Sequence, residues 1–155
     1  MKKYLFLDVD GVLNTQTSWH LAGDSFFESC LANLRLIKES TGCDIVLSSA
    51  WRRFKDQEPE DRDYALLVRA LTDIDCMFID TTPVIEKLSS PSIFNREKEI
   101  EQWLEQKAEK PYNYAIVDDM DIFPNHSKNF VLTEVHEGLT IHKASIIISI
   151  LNSDL

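Results

Sequence analysis

Lys3-Tyr4-Leu5-Phe6-Leu7-Asp8-Val9-Asp10-Gly11-Val12-Leu13-Asn14 is an apolar run that stops at two carboxylates, one residue apart, followed at once by glycine. A short, continuously apolar run closed by turn-forming residues reads as a strand buried on both faces. Side chains alternate along extended chain, so Asp8 and Asp10 face together while Val9 points away. Gly11 gives the freedom needed for a tight turn.

The same grammar recurs along the chain. Ile45-Val46-Leu47 ends at Ser48-Ser49, and Tyr114-Ala115-Ile116-Val117 ends at Asp118-Asp119. Cys76–Ile79 is expected as a third short strand and Phe130–Leu132 as a fifth. Between them lie helical patterns. Phe27, Cys30, Leu31, Leu34 and Ile37 follow Ser25 and Glu28, which are spaced as a capping box, and Gly42 is placed to stop that helix. Tyr64, Leu67, Val68 and Leu71 mark a second helix, and Ile100, Trp103 and Leu104 a third that ends before Pro111. Thr140 caps a fourth, with Ala144, Ile147, Ile148 and Leu151 as its buried stripe and Ile146–Ile148 expected in the core. Segments 14–24 and 81–95 read as loop.

Buried strands alternating with amphipathic helices predict an α/β protein, a three-layer α/β/α arrangement around a central parallel sheet of about five strands. The 155 residues show no repeat and no linker, so residues 1–155 are expected to form one domain with 14–24 as a small flap.

Composition narrows the function classes. A formal net charge of −10 argues against a broad nucleic-acid-binding face or an anionic membrane surface and suits a chain that holds a cation. Cys30, Cys43 and Cys76 are an odd number without Cys-x-x-Cys spacing and read as buried thiols. Lys2-Lys3 before Tyr4–Leu7 has the outline of a secretory leader, but the apolar stretch is too short for one, and no run approaches membrane-spanning length. The expected location is the cytoplasm, without membrane partners.

In an open parallel sheet, ligands bind beyond the carboxyl ends of the strands, near the point where strand order reverses. Asp8, Asp10, Ser48, Asp118 and Asp119 all fall at such ends. Carboxylates gathered there repel one another unless a cation lies between them, and all-oxygen ligation with room for substrate phosphate suits Mg²⁺. The four glycines (Gly11, Gly23, Gly42, Gly138) are scattered, so neither a P-loop nor a dinucleotide-binding turn is present.

Asp8-Val9-Asp10-Gly11-Val12-Leu13 resembles motif I of the haloacid dehalogenase-like (HAD) phosphohydrolase superfamily, Ser48 its motif II, and Asp118-Asp119 the double-aspartate form of its motif IV. Arg96 is the first choice for the basic residue of motif III and Lys98 the second. Asp-Gly-Val-Leu-Asn, Leu-Ser-Ser-Ala-Trp-Arg, Arg-Glu-Lys-Glu-Ile and Gly-Leu-Thr resemble, more narrowly, a small HAD domain also found fused to RNA-repair enzymes.

The resemblance implies a Rossmann-like domain and a Mg²⁺-dependent phosphomonoesterase. Asp8 would be the nucleophile that forms an aspartyl-phosphate, and Asp10 the general acid and base. Gly11, Ser48, Ser49, Arg52 and Arg96 or Lys98 would face the phosphate. Asp8, the backbone carbonyl of Asp10 and the Asp118-Asp119 pair would hold the metal, with Asp119 favoured as direct ligand. Asp10 favours phosphate chemistry, because superfamily members that cleave other bonds commonly lack it.

Val12 departs from the superfamily's usual threonine, and Asp121 adds a carboxylate without an implied role. The two loop segments are too short for a cap domain, so the resemblance implies an open site with Trp19 and His20 on the flap. Such a site admits a large phosphorylated substrate, a nucleic-acid terminus such as a polynucleotide 3′-phosphate among them, as well as a small metabolite or nucleotide. Trp51, Arg52 and Arg53 would grip it by stacking and phosphate contact, although Trp51 is equally placed to be core. His20, His126, His136 and His142 lack ligand spacing and read as surface or local hydrogen-bonding residues.

Two other classes stand beside this one. A phosphoacceptor signalling domain also gathers acids on a parallel sheet, but Asp80 lacks the downstream Thr/Ser and Lys at strand ends that it needs. A non-catalytic binding module on the same fold would have no use for both motif I aspartates and the motif IV pair.

Overall fold

The computed structural model describes residues 1–15, 26–52, 62–85 and 95–154. Its elements alternate: β1 (Lys2–Leu7), α1 (Glu28–Thr41), β2 (Asp44–Leu47), α2 (Arg62–Asp73), β3 (Asp80–Thr81), α3 (Arg96–Lys107), β4 (Tyr112–Asp118), a 3₁₀ turn at Pro124–His126, β5 (Phe130–Leu132) and α4 (Ile141–Asn152). The five strands form one sheet in the order β3-β2-β1-β4-β5, and every pairing is parallel. This is the expected α/β Rossmann-like architecture, and the described residues include no large cap.

β1 is central because it is apolar on both sides. Leu5 and Leu7 join Ile45, Leu47, Ala115 and Val117 in a core shared with α1, α2 and α4. Tyr4 and Phe6 face the other way and pack with Val46, Ile116 and the α3 residues Ile100, Trp103 and Leu104. A strand sandwiched between two such layers cannot slip by one residue without exchanging its faces.

Local signals set the helix ends. Gly42 adopts φ 66°, and its N–H donates to the Lys38 carbonyl, closing α1. The Thr140 hydroxyl accepts the Lys143 N–H at the start of α4. At α1 the N-cap residue is Phe27, which offers no side-chain cap. The capping-box residue Ser25 lies outside the described residues.

Two expectations are corrected. The third strand is not Cys76–Ile79 but Asp80–Thr81, paired with Val46 and Leu47. Asp75 turns through φ 57°, and the Cys76 N–H bonds back to the Leu71 carbonyl. Cys76 is therefore spent on packing the end of α2 into the core before the chain reaches the sheet. Within Ile146–Ile148, Ile147 is buried and Ile148 is half-buried against the same core, but Ile146 is exposed, because successive helical residues point about 100° apart.

All three cysteines are free and buried, as expected. Among the described residues, no helix is long and apolar enough to cross a membrane. Of the expected flap, Asn14 and Thr15 are buried, and the remainder, with Trp19 and His20, lies outside the described residues.

Candidate active site

Strand order reverses at β1. The chain runs outward from β1 through β2 to β3, then returns to place β4 on the other side of β1. The C-terminal ends of β1 and β4 therefore flank the crevice that this topology creates. Backbone hydrogen bonds carry the ladder one residue past the strands. Asp8 N–H donates to the Val117 carbonyl (3.1 Å), Ser48 N–H to Leu7 (2.8 Å) and Thr133 N–H to Asp118 (3.0 Å). Asp8, Ser48, Asp118 and Thr133 are thus brought level on one edge.

The loop after β1 is tightly tied. Val9 and Val12 point into the core, and the Val12 and Leu13 N–H groups both donate to the Val9 carbonyl. Gly11 takes φ +73°, and a Cβ there would lie 2.5 Å from the Asp119 carboxylate. Glycine is needed both for the turn and for the approach of Asp119. The Gly11 carbonyl accepts the Thr133 hydroxyl at 2.7 Å. Val12 lacks a hydroxyl because its side chain is core; the hydroxyl that fixes this loop comes from the end of β5. Sequence reading missed Thr133, although it stands immediately after an apolar strand, as Ser48 does.

Arg96, the first residue of α3, is buried and reaches across to two strand ends. Its Nη1 lies 2.6 Å from Asp118 Oδ2 and 3.2 Å from Asp8 Oδ2. Lys98, two positions along the helix and therefore on another face, is exposed. The structure brings Arg96, not Lys98, to the carboxylates.

Oxygens of Asp8, Asp118 and Asp119 all lie within 4.8 Å of one another. Burial, and then the neighbouring Asp118 charge, push the Asp8 carboxyl well above its ordinary range despite Arg96. Burial likewise raises Asp118 to about 6 against the pull of Arg96. Burial works to lower the Arg96 guanidinium, but Asp8 and Asp118 hold it above its usual value.

Ionising all three carboxylates would leave two negative charges beyond the one guanidinium, a cost that burial registers in the raised carboxyls and that a divalent cation would offset. The donors are all oxygen, as a hard ion requires. Asp8 Oδ1 and Ser48 Oγ are buried without a hydrogen-bond partner among the described residues. Such groups are costly unless they meet a ligand, here an electrophile or cation at Asp8 and an acceptor at Ser48. The residues present fit a metal and a phosphoryl group together.

Asp10 is exposed, and both its oxygens are engaged. Asn14 Nδ2 donates to Oδ1 and Trp51 Nε1 to Oδ2, each at 2.9 Å. Asn14 Oδ1 in turn accepts the Gly11 N–H at 3.0 Å. After β2 the chain makes one tight turn. Ser49 shapes it: its hydroxyl accepts the Trp51 N–H and its carbonyl accepts the Arg52 N–H.

Two residues expected to grip substrate, Trp51 and Arg52, are both buried. Trp51 is buried in the core rather than offered as a stacking platform. Arg52 is buried too, with Nη2 paired to Glu99 Oε2 at 2.5 Å and Nη1 on the Ser49 carbonyl. The Arg52 guanidinium is thus tied to α3 through Glu99, which stands one turn after Arg96. Arg53 lies outside the described residues.

The other histidine sites remain local. His126 bonds Tyr114 through Nδ1 (2.6 Å) and Glu101 through Nε2 (3.1 Å), and Glu97 accepts the Asn125 N–H. These contacts fasten the turn after β4 to α3. His136 and His142 are exposed, as is Asp121.

Residues 4–144 match the family model described as the HAD domain in Swiss Army Knife RNA repair proteins. No curated protein and no solved structure matches the chain.

Proposed function

The chain belongs to the family of HAD domains found in Swiss Army Knife RNA repair proteins, and from that premise we propose that it is a Mg²⁺-dependent phosphomonoester hydrolase. The observation that carries this reading is Asp8: a buried carboxylate at the switch point of the sheet, with Oδ1 unpartnered among the described residues and Oδ2 held by Arg96.

Asp8 attacks phosphorus in line, forming its own O–P bond as the ester O–P bond breaks. Asp10 delivers a proton to the departing oxygen, which leaves as an alcohol. Asp10 then removes a proton from the water that attacks the aspartyl-phosphate, releasing inorganic phosphate and restoring Asp8. Ser48 donates its hydroxyl to a phosphoryl oxygen, and Arg96 holds Asp8 in aim and offsets phosphoryl charge. Asp8, the Asp10 carbonyl and Asp119 would hold Mg²⁺, with Asp118, already committed to Arg96 and the Met120 N–H, in support. When bound, the ion supplies positive charge for the carboxylates and the transferring group, and keeps Asp8 ionised against its burial.

The family description, with the open site expected from loop segments too short for a cap domain, favours the phosphorylated end of a nucleic acid, a polynucleotide 3′-phosphate, over a small metabolite. One domain over residues 1–155, a flap at 14–24 and a cytoplasmic setting for the three thiols complete the reading.

Purified protein with Mg²⁺ should hydrolyse p-nitrophenyl phosphate, and EDTA or Asp8→Asn should each abolish turnover. Equal activity in wild type and Asp8→Asn would exclude the mechanism. A panel setting 3′-phosphorylated oligonucleotides against small phosphate esters then tests the substrate class.

A further inference from the structure

Asp10 carries out both proton transfers in the proposed reaction, yet it is an exposed side chain on a loop, where an unheld carboxylate samples several rotamers. Its orientation is fixed from both sides. Asn14 donates to one oxygen and Trp51 to the other, each at 2.9 Å. Neither contact can reverse. An indole N–H only donates. The Asn14 amide is locked because its oxygen accepts the Gly11 N–H, and a flip would set N–H against N–H.

The two donors differ in what holds them. Asn14 belongs to the same loop as Asp10 and moves with it. Trp51 belongs to the turn after β2 and is buried in the core against Phe26, ring centroids 5.6 Å apart. That turn also carries Ser48, and the Arg52–Glu99 ion pair fastens it to α3, the helix that presents Arg96.

We propose that Trp51 is a positioning residue of the reaction: its indole N–H aims the Asp10 carboxyl group, so that one rigid turn sets both the phosphate contact and the proton donor. This rests on the phosphatase reading above. The simpler alternative is that a buried indole N–H merely needs an acceptor and finds Asp10. The two differ in consequence. Aim matters most when the leaving oxygen needs its proton, and least when the leaving group departs readily as an anion.

The test compares kcat/KM, which reports the first displacement, for wild type and Trp51→Phe on phenyl phosphate and on p-nitrophenyl phosphate. Trp51→Phe should lose about tenfold or more on the phenyl ester, with its poor leaving group, and no more than about threefold on the p-nitrophenyl ester. Equal losses on both esters, or none on either, would overturn the proposal while leaving the phosphatase reading intact. Absence of wild-type turnover would overturn that reading and the proposal with it.

A second measurement needs neither metal nor turnover. The three tryptophans give three indole N–H cross-peaks in a ¹⁵N spectrum. Asp10→Ala should move the Trp51 peak, and an unmoved peak overturns the proposal. Trp51→Phe assigns that peak; should this variant not fold, Trp19→Phe and Trp103→Phe assign it by elimination.

Discussion

Arg52 and Glu99 form an ion pair in which the side chains are 5% and 0% exposed, joining the turn after β2 to the helix that carries Arg96. Glu99 also accepts the Ile85 N–H through its other oxygen. Such a pair is not a large net source of stability, but removing one member strands the other charge in the interior. Glu99→Gln should therefore cost about 3 kcal/mol or more in urea unfolding. If Arg52 instead gripped substrate, Arg52→Lys would raise KM and leave stability untouched. A loss of stability with KM unchanged is the expected result.

Gly11→Ala tests the approach of Asp119. The new Cβ would meet the Asp119 carboxylate at 2.5 Å, in a backbone conformation that a side chain disfavours. The strain is of order 1–3 kcal/mol, which the surrounding core should survive. Displacement of Asp119 should weaken Mg²⁺ about tenfold or more, read from the metal dependence of turnover or by calorimetry. Gly42→Ala provides the control: it shares the positive φ, but no atom of the described residues would lie within 4 Å of its Cβ. It should cost stability without touching metal affinity.

Thr133→Val removes the hydroxyl that holds the Gly11 carbonyl at 2.7 Å while preserving shape. Thr133 is almost fully buried, so the freed carbonyl loses its partner and about 1–2 kcal/mol should go with it. Turnover should fall as well, because the same loop carries Asp8 and Asp10. Stability loss with kcat unchanged would show that the bond holds the loop without aiming it.

These residues show why some of the site was legible in the sequence and some was not. Asp8, Ser48 and Asp118 follow apolar strands, and a parallel sheet necessarily collects its strand ends at one edge, so spacing alone brought them together. Thr133 obeys the same rule but follows a strand of only three residues, too weak a signal beside a paired acid motif. Arg52, Glu99 and Trp51 were a different case. Their roles depend on which side chains become buried against each other across two crossovers, and residue type alone does not decide whether an arginine faces solvent, substrate or a buried carboxylate. β3 lies at Asp80–Thr81 instead of the expected Cys76–Ile79 for a related reason. Cys76 is apolar because it packs under α2, not because it pairs in the sheet.

The acidic cluster should make stability and metal binding move oppositely with pH. Burial raises Asp118 from 3.8 to about 6, and burial followed by the Asp118 charge raises Asp8 well above 3.8. The folded state therefore holds these protons more tightly than the unfolded chain does. By linkage, metal-free protein should lose stability as pH climbs from about 4 through about 6, where the folded carboxyls are forced to ionise. Mg²⁺ competes with the same protons, so it should bind more tightly, and raise the melting temperature more, near pH 7.5 than near pH 5. Thermal melts with EDTA and with Mg²⁺ across this range provide the measurement. In Asp118→Asn one of the two raised carboxyls is gone, and both slopes should flatten. A metal-free protein that instead gains stability between about pH 4 and 6 would mean that the Arg96 charge, not burial, governs the cluster.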